Sequence, residues 1–133
     1  MRITADTNVL VRANMLDDPA QAAAAQHILA EAELIAVPLP VLCEFAWVLG
    51  QIYKLGRVDV GRALDTLISG ANIVVDELAV EAGLAMLRAG GDFADGVIAH
   101  VGLTMGGETF VSFDRKAISR LKAQGRTVAT PSG

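Results

Sequence analysis

The chain has 133 residues, 53% of them apolar and 20% charged, with a formal net charge of −4. That length fits one domain, 1–133, able to bury a core unaided, and the composition excludes intrinsic disorder. The single cysteine, Cys43, excludes an internal disulfide and any multi-cysteine metal site. The longest uncharged apolar run, 34–43, is too short to cross a bilayer. No apolar signal core precedes Asp6, so a soluble cytoplasmic protein is expected.

In chain order, a short apolar strand is predicted over 3–5. It ends at Asp6-Thr7-Asn8, residues that favour turns and helix caps. A helical turn or two follows over 9–15. Asp18 is the expected cap, and Pro19 the first residue, of an alanine-rich helix over 20–33. Segment 34–37 reads as a short buried strand, and Pro38 and Pro40 bracket a turn. A helix is expected over 41–53 because Val41, Leu42, Phe45, Val48, Leu49 and Ile52 recur near the 3.6 period. Trp47 is expected in the core and Gly56 at the helix end. Asp59 is read as the cap of a helix through Ile68, closed by Gly70. The β-branched run 72–75 is a strand. Helices follow over 77–89 and 92–105, closed by Gly90-Gly91 and Gly106-Gly107. A strand over 109–113, a basic helix capped by Asp114 and running through Ala123, a strand over 127–129 and a loose tail over 130–133 complete the chain. Short strands, apolar on both faces and separated by helices, indicate a parallel sheet covered by helices on both sides.

Asp6 and Asp114 follow predicted strands, and Glu44 and Asp95 fall in first turns of helices. In a right-handed parallel α/β topology these four positions lie along one rim, at the carboxyl ends of the strands, where open sheets bind ligands. Each acid also has a structural alternative: Asp6 and Asp114 as helix caps, and Asp95 with Asp92 as charges favourable to a helix N-terminus. Glu44 stands among Val41, Leu42, Cys43, Phe45, Ala46 and Trp47, and burial is expected there. No Lys or Arg occurs between Arg12 and Lys54 to pair with it. The alternative is an exposed glutamate that helps the helix dipole. Four acids converging without cations repel one another. A hard dication, Mg2+ or Mn2+, suits such an all-oxygen set. Such ions polarise a phosphodiester, acidify a bound water and stabilise the leaving oxygen. Setting these four carboxylates aside leaves 11 basic and 11 acidic residues, so the remainder carries no net charge against a polyanion.

Four ordered segments carry a resemblance: Ala5-Asp6-Thr7-Asn8-Val9-Leu10, Pro40-Val41-Leu42-Cys43-Glu44-Phe45, Asp92-Phe93-Ala94-Asp95-Gly96-Val97-Ile98-Ala99 and Thr109-Phe110-Val111-Ser112-Phe113-Asp114. Together they resemble the motifs of the PIN domain family of metal-dependent nucleases and, more narrowly, the VapC toxins of type II toxin–antitoxin pairs. The resemblance implies an α/β fold, a three-layer α/β/α sandwich with a central, mainly parallel sheet. It implies a Mg2+- or Mn2+-dependent endoribonuclease acting on RNA, in which Asp6, Glu44, Asp95 and Asp114 are catalytic and hold the metal. Thr7, Asn8 and Ser112 would support carboxylates or water by hydrogen bonds. It also implies a homodimer and a VapB-like antitoxin. That antitoxin inhibits the toxin within a hetero-oligomer, one of its arginines entering the acidic site, and it alone contacts operator DNA. Asp92 is either a fifth acid or a plain helix-start residue.

Five of the 11 basic residues, Arg115, Lys116, Arg120, Lys122 and Arg126, fall near the C-terminus. Arg115, Lys116 and Arg120 are the candidate contacts to RNA phosphates, the alternative being a solvated helix face. Tyr53 is a candidate interface edge, and the apolar excess of 41–53 a candidate dimer or antitoxin surface. Two other readings stay open. One is a PIN ribonuclease of RNA processing. The other is a receiver-like phosphoacceptor module, disfavoured because no Lys occurs between Lys54 and Lys116.

Overall fold

The apolar segments expected as strands pair in parallel. In the computed structural model, which describes residues 1–132, β1 (Arg2–Thr4), β2 (Leu34–Ala36) and β3 (Ile73–Val74) form one sheet in the order β1-β2-β3. Its ladder runs one residue past the first two strands, with Ala5 N–H on the Ala36 carbonyl and Val37 N–H on the Val74 carbonyl, both 3.0 Å. A second parallel pair joins β4 (Thr109–Val111) to β5 (Thr127–Ala129). The backbone divides into two compact units, Met1–Asp76 and Glu77–Gly133. The first holds the three-stranded sheet and the second the two-stranded one.

In the first unit, α1 (Thr7–Met15), α2 (Pro19–Glu31), α3 (Leu39–Trp47) and α4 (Arg57–Ile68) connect the strands. Asp18 caps α2 as expected, its Oδ1 accepting from Gln21 N–H at 3.1 Å, with Pro19 in the first position. The core takes Leu10, Val11, Ile35, Leu42, Phe45, Leu49 and Leu64, all nearly inaccessible. In the second unit, α5 (Glu77–Arg88), α6 (Phe93–Thr104) and α7 (Arg115–Ala123) bury Met86, Ala99 and Leu121, against which Phe110 and Val128 pack. Residues 130–132 carry no regular structure, as expected of the tail, and Gly133 lies outside the described residues.

Five local expectations are corrected. Pro38 and Pro40 do not bracket a turn: Pro38 is the N-cap of α3 and Pro40 sits in its first turn, where a missing N–H costs nothing. The helix over 41–53 is not α-helical throughout, because Val48–Ile52 is a π-helical turn closed by Tyr53 N–H on the Val48 carbonyl at 3.1 Å. Its reversal is made by Lys54 at φ 60°, not by Gly56, with Leu55 N–H returning to the Leu49 carbonyl at 3.0 Å. Gly56, not Asp59, caps α4; Asp59 lies inside the first turn and faces Arg62 at 3.6 Å. Trp47, expected in the core, is 58% exposed. Leu42, Phe45, Ala46 and Leu49 form the buried stripe at helical spacing, which leaves Glu44 and Trp47 together on the opposite face.

Candidate active site

The end of β1 and one face of α3 build a cleft in the first unit. Because Ala5 still bonds across the sheet, the chain leaves it only at Asp6. Asp6 is extended (φ −84°, ψ 157°) and becomes the N-cap of α1. Its Oδ1 accepts from the Thr7 backbone N–H at 2.8 Å, nearer than the second or third amide that a capping side chain usually takes. Its other oxygen has no protein partner among the described residues. Thr7 is buried, so this anchor is fixed by packing.

Asp6 and Glu44 line one cleft of ≈ 290 Å³ together with Thr7, Asn8, Arg12 and Tyr53. The π-helical turn bears on this arrangement. Four residues overshoot one α-helical turn but fall short of one π-helical turn, so Glu44, Val48 and Ile52 return to one line along the cleft wall. Glu44 is exposed there and makes no hydrogen bond among the described residues. The expected burial of Glu44 is therefore corrected: of the apolar neighbours that suggested it, Leu42, Phe45 and Ala46 point to the other face of α3, and Trp47 is itself exposed.

The expectation of an acidic rim without cations is corrected as well, because Arg12 lines the same cleft. Arg12 Nη1 donates to Asp17 Oδ1 at 3.3 Å, and Tyr53 Oη donates to Asp17 Oδ2 at 2.8 Å. The Tyr53 hydrogen bond, foremost, holds the Asp17 carboxyl below its ordinary range, and the same bond pushes the Tyr53 phenol up. Sequence reasoning passed over Arg12 and Asp17. A signal existed: Asn8, Val11 and Arg12 are spaced i, i+3, i+4 and share one face of α1.

The other acids lie in the second unit. Asp114 caps α7, its Oδ1 accepting from Lys116 N–H at 3.0 Å and Ala117 N–H at 3.1 Å. Ser112 Oγ accepts from the Asp114 N–H at 2.9 Å and so fixes the backbone that carries this acid. Asp92 is the N-cap residue of α6 but makes no side-chain cap bond. Asp95, in the first turn, is half-buried. Burial first, then the charges of Asp92 and Asp114, push its carboxyl above its ordinary value of 3.8. Within either unit, among the described residues, no group of three or more His, Cys, Asp or Glu stands close enough to hold a metal ion by itself.

A pH dependence follows. The folded state holds the Asp95 proton more tightly than the unfolded chain, so stability falls as pH rises from 3.8 through the raised value and stays reduced above it. In metal-free protein at neutral pH, Asp95→Asn is expected to raise the Tm. Solvent screening limits the gain to a few tenths of a kcal/mol, or about 1–2 °C. The gap closes below pH 3.8. Thermal melts of both proteins in EDTA across that range check it.

Among the basic residues, Arg115 and Lys116 are exposed at the start of α7. Arg120 and Arg126 instead serve the fold: Arg120 Nε donates to the Ala89 carbonyl at 3.3 Å and Arg126 Nη1 to the Ala99 carbonyl at 3.1 Å. Cys43 is half-buried, and burial raises its thiol pKa. No helix among the described residues is long and apolar enough to cross a membrane.

The family model of the PIN domain matches residues 3–123. No curated protein matches the chain.

Proposed function

This chain belongs to the PIN domain family, three-layer α/β/α proteins that are generally divalent-metal-dependent nucleases, and from that premise we propose that it is a Mg2+- or Mn2+-dependent endoribonuclease, 1–133 acting as one domain, and the toxin of a type II toxin–antitoxin pair. The observation that carries this reading is the cleft shared by Asp6 and Glu44. The family match runs through both units and spans all four acids, which supports adding Asp95 and Asp114 to the same metal-binding set.

The donor chemistry fits a hard dication, since every candidate ligand is a carboxylate oxygen. One oxygen of Asp6 and both of Glu44 are without protein partners among the described residues. Bound there, the ion supplies Lewis acidity toward a phosphodiester and activates water. The chain's own groups set the geometry. Thr7 N–H orients Asp6, Ser112 holds the backbone of Asp114, and Asp95 is the acid whose ionisation a cation relieves most directly. Asn8 lines the cleft, within reach of water or substrate. Trp47 and Ile52, 58% and 61% exposed on the segment that bears Glu44, support a face covered by a second copy or by a VapB-like antitoxin.

Incubation with total RNA is expected to give fragments with Mg2+ or Mn2+ and none in EDTA. Expression is expected to arrest growth unless the small protein encoded beside it is co-expressed. Metal-independent products would reject the metal-dependent reading. Harmless expression of an active enzyme would assign it to RNA processing instead.

A further inference from the structure

The cleft's charge balance leaves Arg12 unexplained. It is the only basic side chain among the described residues lining the cleft, yet its ion pair is with Asp17, not with either acid of the cleft. That pair occupies Nη1 alone. Arg12 Nε is shut off from solvent with no partner, so the side-on edge of the guanidinium, Nε–H with Nη2, lacks an acceptor. A purely structural arginine would have that edge satisfied. Asp17 is meanwhile gripped from its other side by Tyr53 at 2.8 Å, which fixes the carboxylate on which Arg12 rests.

We infer that Arg12 is the phosphate-binding cation of this cleft, positioned by Asp17 and Tyr53 to take a phosphodiester oxygen of a single-stranded RNA. The inference rests on the nuclease reading for its substrate, and it adds a residue that the four acids do not supply. With Nη1 on Asp17 and Nε enclosed, Nη2 is the donor left to meet a phosphate oxygen, and the guanidinium charge strengthens that bond. A cleft holding two carboxylates otherwise repels a polyanion, and a cation on α1, on the same face as Asn8, offsets that repulsion beside Asp6. Asp17 and Tyr53 act through Arg12: they limit where the guanidinium swings and touch no substrate.

The test is binding of a short fluorescein-labelled single-stranded RNA by anisotropy in EDTA, where it is not cleaved, over a series of salt concentrations. Arg12→Ala is expected to weaken binding about tenfold and to lower the magnitude of the salt slope by roughly 0.7, the value for one phosphate contact on a single strand. Arg12→Lys is expected to keep the slope while losing part of the affinity. Tyr53→Phe is expected to keep the slope with a smaller loss. Thermal melts establish that each variant is folded. If Arg12→Ala does not fold, Arg12→Lys carries the test, and affinity equal to wild type there overturns the inference. Wild-type affinity and slope in folded Arg12→Ala overturn it too. Cleavage is read separately: a wild type that binds RNA through Arg12 but never cuts it sinks the nuclease reading and leaves this inference standing.

Discussion

Glu44→Gln is expected to lose RNA cleavage by about 10³-fold while its Tm stays that of the wild type. The two halves of this result have different causes. Glu44 is exposed and bonds to no described residue, so the folded state loses nothing when its charge goes, and the change should stay within about 0.5 kcal/mol. Its proposed task is to hold a cation against a phosphodiester. A metal ion contributes several kcal/mol of transition-state stabilisation, and each 1.36 kcal/mol is about a tenfold in rate. Asp6→Ala is expected to lose activity to the same extent but not to spare the fold. It removes the cap of α1 at Thr7 N–H, which costs about 1 kcal/mol and a few degrees of Tm. Cleavage rates on a labelled RNA, with melts of the same samples, separate the two. Full activity in Glu44→Gln would show that the cleft is not where the chemistry happens.

Much of this was legible in the sequence because it depends on local rules. Asp18-Pro19 marks a helix start wherever it occurs, and Asp114 caps α7 as its position after a β-rich run requires. The parallel pairing followed from short strands separated by helices. What failed was the judgement of which way side chains face. The expected burial of Glu44 rests on the apolarity of its neighbours along the chain, and that of Trp47 on its being a large aromatic side chain. On a helix, neighbours in sequence point about 100° apart, so an apolar surrounding in sequence says little about the surrounding in space. The π-helical turn that aligns Glu44, Val48 and Ile52 has no composition of its own; Val48-Leu49-Gly50-Gln51-Ile52 reads as ordinary helix. Arg12 was missed for another reason. The spacing of Asn8, Val11 and Arg12 marks their shared face of α1, but the meeting with Tyr53 through Asp17 joins residues far apart in the numbering, and no local pattern announces that contact.

Asp95 depends on a close approach that can be tested from the backbone side. Its neighbour Gly96 is buried, and a Cβ there would collide with the Ala82 carbonyl of α5 and come within 2.8 Å of Met86 Cβ. One of these contacts is backbone, so α6 must move away from α5 to relieve it. Overpacking of this kind costs about 1–3 kcal/mol, and Gly96→Ala is expected to lower the Tm by roughly 3–9 °C. Because the displaced turn carries Asp95, cleavage should fall as well. Gly102→Ala provides the contrast on the same helix. A Cβ at Gly102 meets nothing within 4 Å, so only the gain in helix propensity remains, and Gly102→Ala is expected to stabilise by about 0.5–1 kcal/mol. Opposite signs in one pair of melts would tie the loss at Gly96 to the α5–α6 contact. A Gly96→Ala variant as stable as wild type would mean that α6 yields without cost, and that Asp95 is held by something other than this packing.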